Sequence, residues 1–159
     1  MDQTAIEPAT IEDLPVLTDL LVDLFTQEAD FEPDRAKQMR GLRLLIEQPS
    51  RGRIFVLRNN GRILGMINLL FTISTAEGGF VILLEDLVIQ REFRGQGLGR
   101  QLLGYAIEFA KKKDFKRITL LTDRIEEGAH FFYKKLGFVE SNMIPMRLTL
   151  TTDGSAPKS

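Results

Sequence analysis

The chain has 159 residues, with 21 lysines and arginines against 22 aspartates and glutamates and a net charge of −1. That balance excludes a global field recruiting nucleic acid or anionic lipid, so any ion site must be local. The absence of cysteine removes disulfides, thiolate metal sites and a cysteine nucleophile.

In chain order, "MDQTAIEPAT" lacks the basic and apolar run of a signal peptide, and the longest apolar runs fall far below membrane-spanning length. The expectation is a soluble cytoplasmic protein that contacts neither membrane nor nucleic acid. Thr4 to Glu7 reads as a short strand. Thr10 then caps a helix, with Asp13 three positions on and Leu14, Leu17, Leu20, Leu21 and Leu24 at helical spacing. A second helix is predicted from Pro33 to about Glu47. Arg53 to Arg58 and Arg62 to Ile73 are predicted strands joined by the hairpin turn "NNG", Asn59 to Gly61. Gly78 and Gly79 close another turn. Phe80 to Ile89 is almost wholly apolar and reads as a strand buried on both faces. A helix over about Gly97 to Lys112, a strand over Arg117 to Thr122 and a helix over Glu126 to Leu136 follow. "GFVE" at Gly137 and Met143 to Thr151 read as closing strands. The order is β-α-α-β-β-β-α-β-α-β-β, an α/β chain with a parallel crossover inside a mixed sheet. No repeat or linker divides it. One domain over residues 1–151 is predicted, with a disordered polar tail at 152–159.

The segment "REFRGQGLGRQLL" lies between the buried strand and the third helix. Gly95, Gly97 and Gly99 remove side chains where a ligand would approach the main chain. The first amides of a helix lack internal partners and carry partial positive charge, so loop and helix together suit a phosphate. Arg94 and Arg100 add full charges. A dinucleotide fingerprint would need glycine at position 100, which is arginine, and no Walker loop is present.

The pattern that fits is R-x-x-G-x-G, at Arg94, Gly97 and Gly99. Here the chain resembles the GNAT family of acetyl-CoA-dependent N-acetyltransferases. "LEDLVIQREFRGQGLG", followed by "AHFFYKKLGF" at Ala129 to Phe138, is similar to the family core. The resemblance implies a GNAT fold: a central mixed, mostly antiparallel sheet with one parallel, splayed strand pair, flanked by helices. It implies acetyl-CoA as acyl donor, no metal, and direct attack by an amine in a ternary complex. The cofactor contacts it implies are the main chains of Leu87, Val88 and Ile89 and the loop of Arg94, Gly95, Gln96, Gly97, Leu98, Gly99 and Arg100. Leu87 or Val88 would supply the N–H that meets the developing oxyanion. Tyr133 would protonate the leaving thiolate, and a phenol pKa of about 10 suits that role; spacing alone reads Tyr133 as a packing aromatic beside Phe131 and Phe132. A homodimer is a family habit that the C-terminal strands would serve.

Glu85 and Asp86 interrupt the apolar run of Phe80 to Ile89. Strand alternation sends them to opposite faces, and each needs a partner, a water channel or a task. An internal salt bridge for one and an edge contact for the other is the structural alternative. The spermidine/spermine acetyltransferase branch carries a similar acidic pair. That likeness implies Glu85 as the base that draws the amine proton and Asp86 as an acceptor-site acid. "QEADFEPD", with Glu28, Asp30, Phe31, Glu32 and Asp34, lies where family members line the acceptor pocket. Its acids favour a small cationic amine, although Glu32 or Asp34 would equally suit a helix start. A protein lysine or N-terminus as acceptor, a non-catalytic acetyl-CoA sensor and a nucleotide-binding domain are the alternatives. Glu126 stands where many relatives carry asparagine. A carboxylate cannot donate the hydrogen bond an asparagine amide gives the cofactor. His130 is given no role, and Lys111 to Lys113 suit a solvated helix end.

Overall fold

The structure, a computed structural model, describes residues 4–27, 32–123 and 126–150. The chain divides into two compact units, Met1–Leu121 and Thr122–Ser159.

The first unit carries β1 (Thr4–Pro8), α1 (Leu14–Gln27), α2 (Arg35–Glu47), β2 (Gly52–Asn59), β3 (Arg62–Ser74), β4 (Gly79–Ile89), α3 (Leu98–Lys112) and β5 (Ile118–Leu120). The five strands form one sheet in chain order, antiparallel except for the parallel pair β4–β5. The mixed sheet with one parallel crossover was therefore legible in the sequence. The hairpin between β2 and β3 turns on Asn60 and Gly61, both left-handed, which matches the right-handed twist of the strands.

Local chemistry fixes the helix starts. The Thr10 amide donates to Asp13 Oδ2 at 2.8 Å, closing a capping box over a 3-10 turn at Ile11–Asp13 that leads into α1. Arg58 in β2 donates to the same carboxylate at 2.6 Å. Burial pushes the Asp13 carboxyl up, but the bonds from Arg58 and Thr10 and the Arg58 charge outweigh it and hold it below its ordinary value. Asp34 caps α2, accepting from the Lys37 amide at 3.2 Å.

Two apolar layers sandwich the sheet. On one face Leu14, Leu17, Leu20 and Leu21 of α1 and Leu42 of α2 pack with Ile54, Val56, Ile63, Met66 and Val88. On the other, aromatic rings link the sheet to α3: Phe55 lies edge-on to Tyr105 and Phe109 at 5.0 and 5.1 Å, and Phe71 meets Phe109 and Phe115.

The second unit holds α4 (Glu127–Lys135). Gly137, at φ 100°, ends it in a Schellman motif. The Phe138 amide donates to Tyr133 O at 3.1 Å and the Gly137 amide to Lys134 O at 3.1 Å. The closing strands expected at "GFVE" and Met143 to Thr151 are not formed among the described residues. Ile144, Met146, Leu148 and Leu150 keep a strand's alternation, yet all four are exposed and join no ladder. Alternation without a neighbour to pair with does not make a strand. The tail expected at 152–159 lies outside the described residues. No helix among the described residues is long and apolar enough to cross a membrane.

Candidate active site

The β4–β5 pairing is short, and that shapes the site. β5 meets β4 only at Ile82, Leu83 and Leu84. From Glu85 onward no strand pairs with that edge of β4 among the described residues. The register against β3 slips at the same point, since Leu69 faces Leu84 while Asn68 faces Asp86. Glu85 is thus the extra residue of a β-bulge. Simple alternation would place Leu84 and Asp86 on one face. The bulge puts them on opposite faces, leaving Glu85 exposed and Asp86 buried at 7% exposure.

The bulge also resets which main-chain groups face the open edge. Before it, Ile82 donates to Arg117 O on the β5 side at 2.9 Å. After it, the Gln90 amide donates to Leu64 O on the β3 side at 2.8 Å. Amide and carbonyl groups alternate in direction along a strand, so Val88 faces β3 while Leu87 and Ile89 face the open edge. Of the two candidate oxyanion donors, Leu87 has its N–H on that edge. Val88 turns its side chain into the core, and its main chain is part of the sheet.

Beyond Ile89 a 3-10 turn at Arg91–Phe93 leads into the glycine loop. Gly95 and Gly97 hold φ of 78° and 81°, a conformation that favours glycine. A Cβ built on either would meet no protein atom within 4 Å, so both open onto free space. Gly97 is the N-cap of α3, and the first helical bond runs from Gln101 N to Gly97 O at 3.1 Å. The amides of Leu98, Gly99 and Arg100 precede that bond and lack a partner within the helix. Gln96 and Arg100 are exposed, and Arg100 forms no ion pair among the described residues. The loop therefore fits a diphosphate: bare main chain, amides without helical partners and, in Arg100, a cation with no ion pair among the described residues.

Arg94 behaves differently from a free phosphate-binding charge. Its Nε donates to Ile89 O at 3.0 Å, and its guanidinium pairs with Asp23 of α1 at 3.0 Å. Arg91 pairs with the same carboxylate at 2.7 Å. Asp23 thus ties the loop back to α1, and Arg94 ties it to the end of β4. Sequence reasoning missed Asp23, and no linear signal links it to residues 68 and 71 positions away. It also missed Asn68, which donates through Nδ2 to Asp86 Oδ2 at 2.7 Å. A signal existed there, a lone carboxamide in the run "ILGMINLLFTI".

In the second unit Tyr133 is half-buried on α4, its ring edge-on to Phe132 at 5.1 Å and Phe138 at 5.7 Å. The "FYKKLGF" phrase is thereby explained locally: Gly137 allows the cap, and Phe138 folds back on Tyr133. Glu126 is the N-cap of α4 but makes no side-chain capping bond, and His130 Nε2 lies 2.7 Å from Asp123 O. Glu28, Asp30 and Phe31 lie outside the described residues. Among the described residues, no cluster of three or more histidines and carboxylates is placed to hold a metal.

A mixed sheet whose short parallel pair is joined by a glycine-capped helix defines the fold class, and comparison with known proteins gives the class its name. Residues 14–138 match the acetyltransferase (GNAT) family, and the chain belongs to that family. It is 29% identical over 134 residues to an aminoalkylphosphonate N-acetyltransferase of Salmonella typhimurium, covering 84% of each chain. It is 34% identical over 91 residues to an uncharacterized N-acetyltransferase of Methanocaldococcus jannaschii, covering 57% of this chain and 40% of that one. Among solved structures, an aminoglycoside N-acetyltransferase in complex with CoA superposes with a TM-score of 0.77 at 14% identity, covering 94% of this chain and 96% of that one. The protein is an acetyltransferase of the family that uses acetyl-CoA.

Proposed function

We propose that the chain moves the acetyl group of acetyl-CoA to the primary amine of a small cationic molecule in the cytoplasm, by direct attack in a ternary complex, within one domain over residues 1–151. The observation that carries this reading is the open β4 edge leading straight into the glycine loop and the orphan amides of α3. Gly95, Gln96, Gly97, Leu98, Gly99 and Arg100 would hold the diphosphate of the carrier, with Leu87 and Ile89 along its pantetheine arm. Acetyl-CoA supplies the activated acetyl group. Glu85, exposed on the bulge, takes the proton of the incoming ammonium group through water, since only the neutral amine can attack. The Leu87 N–H is aimed at the carbonyl oxygen as charge develops there. As the C–S bond breaks, Tyr133 gives its proton to the departing sulfur and is reprotonated by the second proton that leaves the attacking nitrogen.

The acceptor class rests on the acidic character of Glu85 and Asp86 on β4 and of Glu28 and Asp30. The named activities of similar proteins, an aminoalkylphosphonate and an aminoglycoside N-acetyltransferase, are consistent with an amine acceptor. Polyamines belong to the same chemical class. The test is thiol release from acetyl-CoA by purified protein with spermidine, 2-aminoethylphosphonate and sisomicin, beside a lysine peptide. Turnover on at least one small amine is expected. Acetyl-CoA binding without turnover on any of them would mark a sensor, and turnover on the peptide alone would move the acceptor class to protein.

A further inference from the structure

One polar pair is buried where the sheet is otherwise apolar. Asn68 on β3 and Asp86 on β4 face each other in register, at 2% and 7% exposure. Two positions along, Met66 and Val88 pair in the same way and belong to the core beneath α1 and α2. Cross-strand partners share a face, and residues two apart on β3 share it too, so Asn68 and Asp86 lie on the α1–α2 face. Asp86 reaches that face only because the bulge at Glu85 shifts the strand by one residue.

The carboxamide is held one way round. Its Nδ2 donates to Asp86 Oδ2, and the reverse orientation would set a carbonyl oxygen against a carboxylate. That choice leaves Asn68 Oδ1 buried with no hydrogen-bond donor among the described residues. A buried acceptor without a donor costs stability, and an apolar pair like Met66 and Val88 would avoid the cost. Orphaned buried polar atoms in a native sheet call for a functional explanation. Here a carboxylate and a carbonyl oxygen stand side by side, both acceptors. Next along the chain are the exposed Glu85 on one side and Leu87, with its N–H on the open edge, on the other. The chemical complement of two acceptors is a group with several N–H bonds and a positive charge.

We propose that Asn68 is the positioning residue of the acceptor site: its amide fixes the Asp86 carboxylate toward the ammonium group of the acceptor, and its own Oδ1 is the second acceptor for that group. The inference rests on the reading of Asp86 as an acceptor-site acid and adds the residue that orients it. Asn68 acts on binding of the amine from the α1–α2 face, whereas the carrier would lie along the open edge of β4 and the glycine loop, so the expected effect falls on the amine.

The test is steady-state kinetics on the full chain, with the amine from the panel above that is turned over best. Asn68→Leu keeps nearly the same volume and removes both polar functions. It is expected to raise KM for the amine about tenfold, with KM for acetyl-CoA unchanged within about twofold. Asp86→Asn is expected to raise the amine KM similarly. The double variant is expected to fall well short of the product of the two single effects, since Asn68 works in part through Asp86. Should the Leu variant fail to fold, Asn68→Ala carries the same expectation. Parallel movement of both KM values, or a double variant whose effects multiply, would give Asn68 a merely structural role and overturn the inference. An Asp86→Asn variant with full effect beside an ineffective Asn68→Leu defeats the inference alone. An ineffective Asp86→Asn, or no turnover on any small amine, defeats the reading beneath it and the inference together.

Discussion

At the scale of single residues, Tyr133 is held by packing, and the proposed reaction gives its hydroxyl a task. Its ring sits edge-on to Phe132 and Phe138, which fixes the side chain on α4 and leaves it half-buried. Tyr133→Phe keeps those ring contacts and removes only the hydroxyl. If the hydroxyl delivers the proton to sulfur, turnover falls about a hundredfold or more, the usual range for loss of a general acid. Acetyl-CoA affinity, measured by calorimetry, is expected to stay within about twofold. Unchanged turnover would return Tyr133 to a packing role. Glu85 and Asp86 teach a related lesson. Their presence in an apolar run was visible in the sequence, but their faces were not. Alternation counts residues, and a bulge inserts one without any mark in composition.

At the scale of elements, the loop before α3 is held by three things: left-handed glycines, the Arg94 bond to Ile89 O and the Asp23 pairs with Arg91 and Arg94. The glycines and the helix start were legible because their chemistry is local. The tether was not, because Asp23 is on α1. Two outcomes follow from this anatomy. Gly97→Val places a side chain in the open space where phosphate would sit and forces a β-branched residue to positive φ. It is expected to abolish measurable acetyl-CoA binding in calorimetry. Gly61→Val is the control: it has similar φ and equally open surroundings on the β2–β3 hairpin, and it should leave binding intact. Asp23→Ala, by contrast, removes partly exposed ion pairs worth about 1 kcal/mol at most. It is expected to raise KM for acetyl-CoA about threefold to fivefold at low salt and less at high salt, with kcat unchanged.

At the scale of the whole molecule, most of the architecture was written in hydrophobic periodicity. The leucine spacing of α1 gave its buried face, and the apolar run of β4 gave a strand inside the sheet. The crossover through α3 made β4 and β5 parallel, as the strand-helix-strand order required. The closing strands were misread because strand formation depends on a partner, and Ile144, Met146, Leu148 and Leu150 meet none among the described residues. The open edge of β4 depends on where β5 ends: the structure forms it only over Ile118–Leu120, where the sequence reads as a strand from Arg117 to Thr122. In the proposed reaction the open edge of β4, the glycine loop and the start of α3 together form one binding surface for an acyl carrier. A crystal structure of the protein with acetyl-CoA tests that surface most directly. The diphosphate is expected within hydrogen-bonding distance of the amides of residues 97–100, with the thioester oxygen at the Leu87 N–H. A carrier bound elsewhere, or a β4 edge filled by another strand of the same chain, would contradict it.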